Sequence, residues 1–140
     1  MRLVTEKDVR RIQERVRLGE LDAPDSFLSE SPQIISANVN LCGSDDITGD
    51  LVPEKIFGYY IGDCCVLHDW EYFDAEPNEE AREKADRRFI NNLTREMRFS
   101  MKSSFFYRII KRWFRRAIKI YYKAVRSFGG PAFWDGKNDH

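Results

Sequence analysis

The stretch DCCVLHDWEY, residues 63–72, contains the only histidine of the chain besides the C-terminal residue. Residues three and four apart lie on one face of a helix, so Cys65, His68 and Tyr72 would share a side. Asp69 would be turned about 100° away from His68, toward whatever element packs beside the helix. The stretch therefore predicts a helix with an imidazole and a phenol on one face and a carboxylate on the next.

The sequence before this stretch predicts one helix and a long loop. Residues 5–18 form an amphipathic pattern, with Thr5 as a cap at its start and Gly19 at its end. Residues 20–40 are rich in Pro, Ser and Asp, a composition typical of a loop. The helix of the histidine stretch is predicted to begin after Pro53 and to run from about Tyr59 through Phe73.

Two further helices are predicted after the histidine stretch. Asn78 can cap the first, which carries an apolar stripe at steps of four residues. The second is long, basic and amphipathic, from about Ser104 to Phe128, and the glycines that follow predict its end. No alternating strand pattern is longer than a few residues. We therefore expect one all-α domain over residues 1–140, mostly helical, with three or four helices.

The net charge of zero conceals two segments of opposite sign. Residues Leu18 to Ala81 include 15 acidic side chains and one basic, whereas Arg82 to His140 include 16 basic and five acidic. An acidic segment attracts cations, and a basic one attracts phosphates on lipid or nucleic acid. Neither a signal peptide nor an apolar run of 18 residues is visible, which leaves non-classical secretion and a cytoplasmic location both open.

Asp86 is the candidate partner of His68. A catalytic imidazole needs an acceptor that orients its second nitrogen. Asp86 lies beside the apolar stripe of the next helix, and in an antiparallel pair of helices it can face His68 and Tyr72. His68, Asp86 and Tyr72 are therefore candidate catalytic residues. The structural alternative is a histidine that packs on its helix and a surface aspartate near a helix N-terminus.

The segment CGSDDITGD, residues 42–50, combines glycines and aspartates in a pattern typical of turns. Glycine lets a backbone turn its carbonyls toward an ion, and calcium prefers carboxylate and carbonyl oxygens. Asp69 and this loop could together form one calcium site. An ordinary polar loop and a solvated Asp69 are the alternative interpretation.

The motif CCVLHDWEY, with a CG-containing loop upstream and an aspartate on the following helix, resembles the secreted phospholipase A2 superfamily over about Asn40 to Phe89. The resemblance implies calcium-dependent hydrolysis of the sn-2 ester of glycerophospholipids, in which His68 activates a water and Asp86 and Tyr72 orient His68. It implies that Asp69 binds Ca²⁺. The other implied calcium ligands are backbone oxygens near Leu41, Gly43 and Asp45, with Asn40 as an added candidate. It also implies a disulfide from Cys42 to Cys65, which leaves Cys64 free; reduced thiols are the alternative.

The sequence departs from the family at several positions. SDDITGD replaces the glycine-richer calcium loop of animal members, and Glu71 takes the place of the cysteine in the family's HDxCY pattern. Most other family disulfides have no cysteines here, which points to the cysteine-poor bacterial, fungal or phage branch. VLHDWEY, ADRRF and AVRSFGG are also similar to phage-associated proteins of unknown function. The alternative function is therefore a non-catalytic interaction protein with a phospholipase A2-like fold.

The last long helix combines basic and aromatic side chains, a composition typical of membrane-surface elements. We expect it to contact an anionic phospholipid surface, and nucleic-acid phosphates are the weaker alternative. Its apolar stripe could instead belong to the core. The expected lipid-contacting cations are Arg108, Lys111, Arg112, Arg115, Arg116 and Lys119.

Overall fold

The computed structural model describes residues 3–39, 55–56, 59–100 and 105–138. Within these residues the chain forms seven helices and one pair of two-residue strands, which confirms the predicted all-α class. The elements in chain order are α1 (Glu6–Arg17), α2 (Ser26–Ser29), α3 (Pro32–Ala37), β1 (Lys55–Ile56), β2 (Tyr59–Tyr60), α4 (Gly62–Asp74), α5 (Glu79–Ser100), α6 (Phe105–Phe128) and α7 (Gly130–Asn138).

The ends of α1 follow the predicted capping chemistry. The Thr5 side chain accepts a hydrogen bond from the Asp8 backbone N–H, and the Asp8 carboxylate accepts one from the Thr5 backbone. Gly19 has a φ of +78°, a left-handed conformation that suits glycine after a helix end. These local signals confirm both boundaries of α1 to within one residue.

Two predictions of element bounds were wrong, and one helix was not predicted. Residues 20–40 include α2 and α3, because Ser31 caps α3 and Pro32 starts it, a local signal that the polar composition hides. The histidine helix begins at Gly62, three residues later than the predicted run from about Tyr59, because β1 and β2 precede it. Strands of two residues are too short to show an alternating pattern. The chain also becomes helical again as α7, with Pro131 in its first turn, where proline is tolerated.

The core lies where α4 packs against α5. The predicted stripe of α5 is buried, with Ala85 and Leu93 at 0% exposure. Arg15 of α1 bonds both Asp63, at the start of α4, and Glu96, near the end of α5. Opposite ends of the two helices therefore lie together, which is the predicted antiparallel arrangement. α6 packs on α5, and α7 contacts both α4 and α6.

Candidate functional site

The candidate site lies between α4 and α5, where two side chains of α4 meet one carboxylate of α5. The His68 Nε2 atom is 2.8 Å from Asp86 Oδ1, and the Tyr72 hydroxyl donates to the same oxygen at 2.5 Å. Asp86 is completely buried, and Tyr72 is nearly so. The structure thus brings together the three residues that the helical spacing predicted, although their catalytic role stays a prediction.

Arg126, near the end of α6, binds the other oxygen of the same carboxylate. Its Nη1 atom is 2.7 Å from Asp86 Oδ2, and its Nη2 atom donates to Glu79 at the start of α5. Arg82 donates to the backbone oxygens of Val125 and Arg126 and to the Glu79 carboxylate. The last turn of α6 is therefore held against the first turn of α5 by two arginines.

The hydrogen bonds determine the charge of the buried groups. Burial alone would raise the pKa of Asp86, but hydrogen bonds from His68, Tyr72 and Arg126 hold that pKa below its ordinary value. Burial and the adjacent Asp86 carboxylate raise the pKa of Tyr72 well above its ordinary value. Asp86 is therefore an anion and Tyr72 a neutral donor at neutral pH.

The imidazole of His68 is held by aromatic rings as well as by Asp86. Its ring centroid lies 4.2 Å from that of Tyr72 and 4.6 Å from that of Phe89. The His68 side chain retains 15% of its accessible surface. When Nε2–H donates to Asp86, Nδ1 carries a lone pair, and no hydrogen-bond partner of Nδ1 occurs within the described ranges. This nitrogen can therefore accept a proton from an incoming molecule.

Comparisons with protein-family models, curated proteins and solved structures found no match to this chain. The chemistry of the site is therefore argued from its residues and geometry.

The junction between α6 and α7 passes directly over the site. A Cβ atom at Gly129 would lie 2.8 Å from the Tyr72 hydroxyl and 2.5 Å from the carbonyl oxygen of Val125. On α7, the fully buried Phe133 meets the Tyr72 ring edge-to-face, with centroids 5.1 Å apart. Only a residue without a side chain allows the backbone to approach the hydroxyl this closely, so Gly129 helps to position Tyr72.

The predicted calcium site falls mostly outside the described residues. Asp69 is partly buried on α4, and its neighbour His68 faces Asp86. Among the residues that the structure describes, no group of three or more His, Cys, Asp or Glu side chains is arranged to hold a metal ion. The other predicted ligands, Asn40, Leu41, Gly43 and Asp45, lie outside the described residues.

The two adjacent cysteines of α4 differ in chemical state. Cys65 is disulfide-bonded, whereas Cys64 is a free thiol with no accessible surface. Burial raises the pKa of the Cys64 thiol well above its ordinary value, which disfavours the reactive thiolate in the folded protein. The predicted partner of Cys65, Cys42, lies outside the described residues.

Three site residues were not predicted from the sequence. Arg126 and Arg82 were not predicted because each contacts residues at least 40 positions away in the sequence, a relation that helical periodicity does not reveal. Gly129 was interpreted only as a helix end. The signal that could have identified Arg126 is its position in the last turn of a helix, where a cation is favourable and can reach an acid such as Glu79 in the first turn of another helix.

Proposed function

We propose that this chain hydrolyses the sn-2 ester of glycerophospholipids with the help of calcium, as the resemblance of CCVLHDWEY to the secreted phospholipases A2 implies. The observation that carries the proposal is the shared carboxylate oxygen of Asp86, which accepts from both His68 Nε2 and the Tyr72 hydroxyl. This arrangement fixes the imidazole with its other nitrogen available as a base.

In the proposed reaction, His68 Nδ1 takes a proton from a water whose oxygen attacks the ester carbonyl carbon. The imidazolium forms next to the Asp86 carboxylate, which stabilises its charge. As the tetrahedral intermediate collapses, the same proton passes to the leaving glycerol oxygen, and the ester bond breaks. The products are a fatty acid and a lysophospholipid, and His68 returns to its neutral form.

The surrounding residues hold this pair in place. Tyr72 donates to Asp86 and is itself packed against Phe133, so both contacts fix the orientation of the carboxylate. Arg126 is a positioning residue, because it binds Asp86 and acts on His68 only through that carboxylate. Its charge also favours the anionic form of Asp86, which the mechanism requires.

The predicted metal ligands have the chemistry that calcium requires. Asp69 and Asp45 supply carboxylates, Asn40 an amide oxygen, and Leu41 and Gly43 backbone oxygens, all of them hard donors. Calcium held there would act as a Lewis acid on the ester carbonyl. The position of Asp69, directly after His68 on α4, supports this part of the proposal.

At Glu71, which replaces a cysteine of the family pattern, an ion pair takes the place of a disulfide. Where the family pattern has a cysteine, Glu71 forms an ion pair with Arg88 of α5, at 2.9 Å. Both side chains are largely shielded from solvent, at 9% and 17% exposure. The ion pair therefore links α4 to α5 close to the site without a disulfide.

Fatty-acid release from phosphatidylglycerol vesicles tests the proposal. We expect calcium-dependent release that falls at least about a hundredfold in His68→Gln, the loss expected for a general base. In Asp69→Asn, calcium should no longer stimulate release. The matched variant Asp74→Asn, which changes an exposed acid on the same helix, should keep calcium-stimulated release. Release by His68→Gln at the wild-type rate would refute the mechanism.

The second candidate is a non-catalytic phage or bacterial interaction protein with the same fold. The observation that favours it is the surface of α6, where all six cations expected to contact lipid are exposed. This second candidate predicts that the chain hydrolyses no ester, with or without calcium, and binds membrane or nucleic acid through α6 alone. Full activity of the wild type in the release assay would exclude it.

A further inference from the structure

The α6 helix has two apolar faces, of which one is unpartnered within the described residues. Phe114 and Val125 are buried, at 3% and 6% exposure, and form the side that packs on α5. Trp113 and Ile120 are exposed at 59% and 67%. Residues seven apart lie almost in line along a helix, so these two side chains form one exposed apolar ridge.

Cations surround this ridge. Residues Arg108 to Arg126 include eight basic side chains and no acid. Seven of the eight are exposed, and none of these seven has an ion pair with any part of the chain that the structure describes. The Arg116 guanidinium lies 5.9 Å from the Trp113 ring, so charge and apolar surface are directly adjacent.

We infer that the outward face of α6 docks on the surface of an anionic phospholipid bilayer, with Trp113 and Ile120 inserted among the lipids and the cations at the headgroups. Phosphate contacts alone would explain the basic residues but not an exposed isoleucine beside an exposed tryptophan. An apolar ridge that enters the headgroup boundary, flanked by cations, is the arrangement of an interfacial helix. The inference goes beyond ester hydrolysis, since binding requires no turnover.

Vesicle sedimentation in EDTA, which removes calcium-dependent hydrolysis, tests the charge contribution. The probes are phosphatidylcholine vesicles and vesicles with about one third phosphatidylglycerol. Each cation at an anionic surface contributes about fivefold to binding, so Arg112→Gln with Arg116→Gln should weaken binding about 25-fold. The matched control is Lys7→Gln with Arg95→Gln, two exposed cations outside α6, and it should change binding less than twofold.

Apolar variants test the insertion of the ridge. Ile120→Ala should weaken vesicle binding at least threefold, whereas Leu18→Ala, at 66% exposure directly after α1, should not change it. Trp113 is the most exposed of the three tryptophans, so its fluorescence should shift to the blue on anionic vesicles, and Trp113→Phe should lose the shift. Circular dichroism checks that each variant is folded.

Three results would overturn the inference. The first is equal binding to vesicles with and without phosphatidylglycerol. The second is equal loss from the α6 variants and their controls. The third is tight binding to duplex DNA that Trp113 and Ile120 do not affect, which would assign the cations to nucleic acid. The binding test is independent of ester hydrolysis. A chain that binds vesicles without hydrolysing ester supports the inference, and a chain that hydrolyses ester without binding vesicles refutes it.

Discussion

Substitution of Gly129 by alanine is the most direct test of how the α6–α7 junction positions the site. The new methyl group would lie 2.5 Å from the Val125 carbonyl oxygen and 2.8 Å from the Tyr72 hydroxyl, both too close for a carbon atom. The carbonyl belongs to the backbone of α6 and cannot rotate away. Overpacking of this kind costs about 1–3 kcal/mol of the free energy of unfolding.

Gly130→Ala is the matched control, because its Cβ atom would meet Arg82 at an ordinary 3.7 Å. It should leave the free energy of unfolding unchanged or raise it by up to about 1 kcal/mol, since alanine restricts the unfolded chain. For a chain of this size, Gly129→Ala should then melt about 3–10 °C below the wild type. Thermal and urea denaturation, followed by circular dichroism, measure both variants.

A double-mutant cycle separates the two contacts of the new methyl group. In a Tyr72→Phe background the hydroxyl contact is gone, so the Gly129→Ala substitution should cost less than it does in the wild type. The His68 ring signals in NMR spectra should also shift in Gly129→Ala, because the Tyr72 hydroxyl is displaced from Asp86. Equal stability of the two glycine variants, with unchanged His68 signals, would refute this account of the junction.

Three further predictions concern the charged groups and the cysteines. Burial alone would raise the pKa of Asp63, but hydrogen bonds from Arg11 and Arg15 hold that pKa below its ordinary value. The stability that Asp63 provides is therefore complete above about pH 4 and is lost as the pH falls through the lowered pKa. The urea midpoint of Asp63→Asn should lack this part of the decrease at acid pH. Arg126→Gln should lower the rate of ester hydrolysis about 10- to 100-fold and shift its pH–rate profile, and Arg126→Lys should recover part of the rate. A lower rate with an unchanged pH–rate profile would indicate a purely structural role. Cys64 should react with iodoacetamide only after unfolding. Reduction of the Cys65 disulfide should lower the free energy of unfolding by about 2–4 kcal/mol, and reducing agent should have no such effect on Cys65→Ser.

The sequence was sufficient for the parts of the site that depend on helical spacing. His68 and Tyr72 share a face because they are four residues apart, and Asp86 meets them because a short connection makes α4 and α5 antiparallel. Both facts follow from local pattern. The contact of Arg126 with Asp86 spans 40 residues and depends on where α6 ends in space, which no local pattern specifies.

The same distinction explains the errors in the fold. α3 is one and a half turns long, so its capping serine and proline were the only signals within a polar segment. α7 was missed because Gly129 and Gly130 predict the end of α6 correctly but say nothing about a new helix immediately after it. The division of α6 into a buried and an exposed apolar side was also not predicted, since a helical period groups apolar residues without stating which of them another helix covers. Only the packing of α5 separates the buried Phe114 from the exposed Trp113.

The bond between Arg126 and Asp86 couples the position of α6 to the contact between His68 and Asp86. Trp113 and Arg126 lie on one continuous helix, 13 residues and about 20 Å apart. A bilayer that rotates or tilts this rod at one end would move the guanidinium at the other. Contact with lipid and the alignment of the imidazole would then change together, so the proposed hydrolysis would depend on the surface that α6 contacts.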